Sequence, residues 1–147
     1  MSFFELFPNF EPNPRASIKK EFDRLARQQG WTGNKKVCDR FRAACYEDEL
    51  ADFAAAQGLA SPLKKLQTLC AEVGVRDIPV SINKCNEKLA NAKVNLVDLM
   101  DARRQGKQVR LFESFKELAE YTKKTNKYCP KQAPKNEGIR VLLKHMR

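Results

Sequence analysis

A chain of 147 residues, 42% hydrophobic and 31% charged, has the length of one ordinary domain and enough apolar material for a core, which excludes wholesale disorder. No apolar run approaches the ~18 residues of a membrane span, and the stretch from Met1 to Pro8, with Glu5 and no Lys or Arg, does not read as a signal peptide. The formal charge of +10 is unevenly spread: residues 1–60 hold nine Lys/Arg and nine Asp/Glu, residues 61–101 six and five, and residues 102–147 thirteen and four.

Phe3, Phe4, Phe7 and Phe10 place four phenylalanines in eight residues. That much aromatic surface is costly to leave in water. Residues 1–13 therefore read as an aromatic arm packed over a helical core, and a docking peptide or a homodimer contact through Phe3–Phe10 is the alternative. Asn13-Pro14 has the form of a helix start, with Asn as N-cap and Pro at the first position. Ile18, Phe22, Leu25, Ala26 and Gln29 follow at helical spacing, and Gly30 is the stop. Trp31 comes next, in the turn.

A second helix is expected from about Asn34 to about Gln57, with Val37, Phe41, Ala44, Cys45, Leu50 and Phe53 inward. Its Glu47, Asp48, Glu49 and Asp52 read as a solvated face, because a calcium loop needs interleaved oxygen ligands and a turn glycine that are missing here. Ser61-Pro62 starts a third helix carrying Leu63, Leu66, Leu69, Cys70 and Val73, closed by Gly74. Ile82, Cys85 and Leu89 mark a fourth after Pro79. A fifth begins at Asn95, with Asp98 three residues later, and ends at Gly106. Val109, Leu111 and Phe112 suggest a short extended segment or strand near 109–112. Ser114-Phe115-Lys116-Glu117 is a capping box ahead of Leu118, Ala119 and Thr122. Tyr128 to Pro134 is a loop, and Ile139, Leu142, Leu143 and Met146 form the apolar stripe of a last helix. The fold expected is all-α, a compact single-domain bundle of about six or seven helices spanning 1–147.

Catalytic and metal signals are sparse. The five cysteines, at 38, 45, 70, 85 and 129, contain no close pair, and His145 is the one histidine, so neither a zinc site nor a Cys–His nucleophile is indicated. Phosphate loops, nucleophile elbows and dinucleotide fingerprints are missing. A non-enzymatic protein without metal or cofactor is the expectation. An odd number of cysteines set mostly among apolar neighbours suits a reducing compartment, cytoplasm or nucleus, and not secretion.

The uneven charge points to a polyanionic partner, nucleic acid (DNA or RNA) or an acidic protein surface. The candidate contacts are Arg103, Arg104, Lys107, Arg110, Lys116, Lys123, Lys124, Lys127, Lys131, Lys135, Arg140, Lys144 and Arg147, which neutralise phosphates, with Tyr121 and Tyr128 available to stack on bases. The same tyrosines could instead be half buried in the core. Leu66 to Leu89 also has the rhythm of a helix-turn-helix, with Asn83, Lys84, Asn86, Glu87 and Lys88 on the second helix, although Pro79 lengthens the connection.

Several strings resemble a family of small proteins from filamentous fungi. They are Phe3-Phe4 through Phe7-Pro8 and Phe10, Asn13-Pro14, Glu21-Phe22 with Arg24-Leu25-Ala26, and Gly30-Trp31. Later strings are Val94 to Leu99, Phe112, Tyr121-Thr122, Cys129-Pro130 and Leu142-Leu143. The resemblance implies a fungal origin and a compact domain, and it identifies no site.

Overall fold

The computed structural model describes residues 3–56, 61–130 and 140–142, with the side chains of 52–56 outside that set. Among the described residues all regular structure is helical. A 3-10 turn (Phe3–Leu6) is followed by α1 (Ile18–Gln29), α2 (Lys35–Ala56), α3 (Pro62–Glu72), α4 (Ile82–Ala90), α5 (Leu96–Gln105) and α6 (Phe115–Thr125). Residues 140–142 are helical as well.

Local capping chemistry sets most boundaries. Ser61, Ser81, Asn95 and Ser114 stand in extended conformation, and each side-chain oxygen accepts a hydrogen bond from the third residue of the helix that follows. Gly106 ends α5 and Asn126 ends α6, both in the left-handed region, at φ 65° and 56°. The Glu117 carboxylate accepts from the backbone N–H of Glu113 at 3.3 Å, one residue before the expected capping-box donor.

α1 departs from expectation. It starts at Ile18 with Ser17 as N-cap, and Asn13-Pro14 belongs to a separate turn closed by the Ala16 N–H on the Asn13 carbonyl. Long-range partners explain the delay. The Asn13 N–H donates to Glu21 at 2.7 Å, while Arg104 donates to the Asn13 and Ala16 carbonyls at 2.8 and 2.7 Å. These main-chain groups are thereby withdrawn from a helical ladder.

α5 is the centre of the molecule. Leu96, Val97, Leu99, Met100 and Ala102 are all buried, as expected of a helix covered on several sides. α1 and α2 pack against it and against each other, and α3 pairs with α4. On α2, Cys45, Tyr46 and Leu50 are buried, whereas Ala44, expected inward, is exposed. The side chain of Phe53, expected inward, and the whole of Gln57 lie outside what the structure describes.

The aromatic arm is part of the core. Phe3, Phe4 and Phe10 are buried, and Phe4 stacks on Phe10 with centroids 5.5 Å apart. Phe7 meets Trp31 edge-on at 5.4 Å, and Trp31 lies parallel to Phe41 at 4.0 Å. The Arg24 guanidinium covers Phe10 at 4.2 Å. Three of the four rings offered for a docking or homodimer contact are thus spent inside the chain, and Leu6 is the apolar residue of this segment left largely exposed.

The connection from α3 to α4 covers residues 73–81, more than twice the three or four residues of a helix-turn-helix turn. Gly74 opens it at φ 85°, a backbone angle that favours glycine, and a Cβ there would also press on the exposed Leu111 side chain, 2.7 Å away at Cδ1. Gln67 donates to the Pro79 carbonyl at 2.9 Å. The helix-turn-helix reading fails on this geometry. Segment 109–112 is an extended link and no strand: the Phe112 N–H donates to the Lys93 carbonyl at 2.9 Å, with Val109 and Phe112 buried and Leu111 exposed.

In the last helix Leu142 is buried and Arg140 exposed, as its stripe requires. Ile139, Leu143 and Met146 lie outside the described residues. No helix among the described residues is long and apolar enough to cross a membrane.

The cysteines supply a chemical check on this packing. Burial raises the Cys45 thiol far above its ordinary value, and burial pushes Cys70 from 9.0 up to about 12. The Cys70 thiolate is then scarcer at neutral pH than that of a free thiol. In native protein at about pH 8, iodoacetamide should label Cys38 first, and Cys45 and Cys70 only on unfolding. Mass spectrometry showing Cys45 or Cys70 labelled as fast as Cys38 would contradict the packing.

Candidate functional site

The loop after α6 is held by a single buried amide. Asn95, fully buried, caps α5 with its oxygen, which accepts from the Asp98 N–H at 3.0 Å. Its amide nitrogen donates to the Thr122 hydroxyl of α6 and to the Lys127 carbonyl, both at 3.1 Å. One side chain therefore joins two helices and the loop that carries Tyr128.

Lys127 and Tyr121 complete the knot. The Lys127 ammonium donates to Asp98 and to the Tyr121 hydroxyl, each at 2.8 Å. Burial alone would lower its pKa, but these two hydrogen bonds and the charge of Asp98 together hold it above the ordinary lysine value. Burial raises the Tyr121 hydroxyl; the Lys127 hydrogen bond opposes this, and Asp98 adds to it. Its ring packs on Phe112 at 4.9 Å and lies under both the Arg110 guanidinium, at 5.3 Å, and the Lys127 ammonium, at 5.2 Å. Tyr121 is thus engaged by its own chain and does not present the open base-stacking face expected of it.

The C-terminal cations divide into two sets. Arg103 makes a two-pronged contact with Glu72 at 2.6 and 2.8 Å. Arg104, with its side chain only 8% exposed, pairs with Glu49 at 2.9 Å. With Lys127 on Asp98, three expected phosphate contacts serve as counterions for carboxylates from the rest of the chain. Such buried, hydrogen-bonded pairs are costly to break, which removes Arg103, Arg104 and Lys127 from a free binding face. A positive charge concentrated in sequence is therefore less concentrated in space.

The second set stays outside. Lys107, Arg110, Lys116, Lys123 and Lys124 are exposed, and among the described residues none is within ion-pair distance of a carboxylate. Arg110 is held over Phe112 at 4.4 Å, which orders its guanidinium without neutralising it. Glu113, Glu117 and Glu120 are exposed among these cations. Arg140 is exposed too, whereas Lys131, Lys135, Lys144 and Arg147 lie outside the described residues.

Tyr128 stays open, 48% exposed. It lines one groove together with two cations outside the C-terminal count, Lys36 and Arg40 of α2. A signal for them existed: they lie four residues apart, on one helix face. Averaging over residues 1–60, whose charges cancel, hides it. Among the described residues no group of three potential ligands could hold a metal ion. In comparisons with known proteins, no family model, no curated protein and no solved structure matches this chain.

Proposed function

We propose that this is a non-enzymatic protein that binds nucleic acid through phosphate contacts from the basic surface of its C-terminal part. The observation that supports this reading is the set of exposed, unneutralised cations: Lys107, Arg110, Lys116, Lys123 and Lys124. Cations at the surface release counterions from a polyanion, and the binding that results is strongly salt dependent. The Arg103, Arg104 and Lys127 pairs supply the rigid platform and make no phosphate contact themselves.

Titration of a labelled duplex and a labelled single strand at two salt concentrations tests this. With about four phosphate contacts, affinity should fall on the order of a hundredfold between about 50 and about 200 mM salt. Charge reversal by Lys123→Glu with Lys124→Glu should weaken binding and flatten the salt slope by about two contacts. Failure to bind at low salt, or binding indifferent to salt, refutes the reading. Capture of an acidic protein that survives nuclease treatment would replace nucleic acid by a protein partner.

A further inference from the structure

The groove that holds Tyr128 runs between α2 and the loop after α6 and encloses about 810 Å³, within the size range of ligand-binding clefts. α2 contributes Lys36 and Arg40, and the loop contributes Tyr128 and Pro130. The outward-facing Ala44, also in the lining, keeps this face of α2 low, which gives its exposure a use that the helical period did not indicate. The charge along the groove is ordered. Asp39 is held by Arg42 at 3.6 Å and by Lys35 at 3.9 Å. Glu47 lies seven residues beyond Arg40, ~10 Å along the axis at ~1.5 Å per residue. One end is therefore cationic and the other carries a carboxylate.

Tyr128 is suited to a flat ligand. Among the described residues no ring and no cation covers it, in contrast to Tyr121. Its neighbours are fixed on both sides, because the Lys127 carbonyl is held by Asn95 and Cys129 is buried. The ring is presented by an anchored backbone, so little ordering remains to be done on binding.

We infer that this groove binds a short stretch of single-stranded nucleic acid, with one unpaired base stacked on Tyr128 and adjacent phosphates on Lys36 and Arg40. The inference rests on the nucleic-acid reading above and narrows it to unpaired strands, since a base within a duplex has no free face for a tyrosine. Stacking platforms flanked by cations are the general means of holding single strands with little sequence preference.

The test is a titration of the full chain with a labelled single-stranded oligonucleotide of about twelve nucleotides, a length typical of single-strand binding sites, and with the matching duplex. Tyr128→Ala should lower single-strand affinity about tenfold and leave duplex affinity unchanged, while Tyr128→Phe should retain most of it. Lys36→Glu with Arg40→Glu, on a different element and at exposed positions, should lower single-strand affinity and its salt slope together. Circular dichroism confirms that each variant is folded, and the α2 pair decides the matter should Tyr128→Ala fail that check. If the α2 pair leaves single-strand affinity unchanged while Lys123→Glu with Lys124→Glu lowers it, the groove assignment is overturned and the proposed function stands. If the unaltered protein binds neither oligonucleotide, both fall. Equal competition by polyglutamate for the groove would also overturn it, since an acidic peptide offers no base to stack.

Discussion

Truncating Phe4 to alanine is expected to lower the unfolding free energy by about 3–5 kcal/mol, the range for deleting a buried aromatic ring. Phe4 is 2% exposed, stacks on Phe10 at 5.5 Å and lies 6.0 Å from the Arg104 guanidinium. The cavity left behind would border Phe10 and the core at the centre of the fold, where collapse is difficult. In a domain of this size the melting temperature should drop by roughly 10 °C. Urea denaturation followed by circular dichroism measures it, with Leu6→Ala as the exposed control in the same segment. A loss below about 1 kcal/mol, typical of a surface position, would mean that the arm does not belong to the core and would reopen its use as a docking peptide.

Replacing Asn95 should cost a comparable amount. Asn95→Ala removes a helix cap, worth about 1 kcal/mol, and strands the buried Thr122 hydroxyl and Lys127 carbonyl, at ~1–3 kcal/mol for each unsatisfied group. About 3–7 kcal/mol in total is expected from these sources. Asn95→Asp separates them. As an N-cap, Asp is as good as Asn, yet here a carboxylate would face a carbonyl that needs a donor. Burial would raise the pKa of the introduced carboxyl above its unfolded value. Its stability would then be fullest below the unfolded pKa, where the protonated group can donate, and would be lost as pH rises through the folded value. Urea unfolding should therefore show Asn95→Asp weakened at neutral pH and partly recovered on acidification, relative to the unaltered chain. Equal stability of Asn95→Asp and the unaltered chain at neutral pH would show that the amide donors contribute nothing.

Features that depend on three or four consecutive residues were legible from the sequence. Ser61-Pro62, Asn95 with Asp98 and Ser114 with Glu117 each mark a helix start where the structure has one, because a cap is a contact between near neighbours. Gly106 marks a stop for the same reason. Contacts between distant residues were not legible. Asn13-Pro14 has every local mark of a helix start, and the structure overrides it with Arg104, which is 91 residues from the Asn13 carbonyl it binds. Charge was misread in the same way. Arg104 and Glu49 are 55 residues apart, Arg103 and Glu72 31, and Lys127 and Asp98 29. A segment count assigns the cations to one region and their counterions to another, and folding brings them together. Tyr121 and Tyr128 are alike in sequence context, and neighbouring cations and burial alone separate a covered ring from an open one.

The clasp between α5 and the segment before α1 also has a consequence in time. Ile18 donates to Asp101, 83 residues later, and the Ala16 carbonyl is bound by Arg104, 88 residues later. On a ribosome adding ~5–20 residues per second, the first eighteen residues wait on the order of 5–20 s before those partners emerge. Trp31 and Phe41, which receive Phe7 and Phe3, emerge early in that interval, whereas Arg104, beside Phe4, emerges only at its end. The arm is thus covered in two stages during synthesis, first against Trp31 and Phe41 and last at Phe4, once Arg104 has been made.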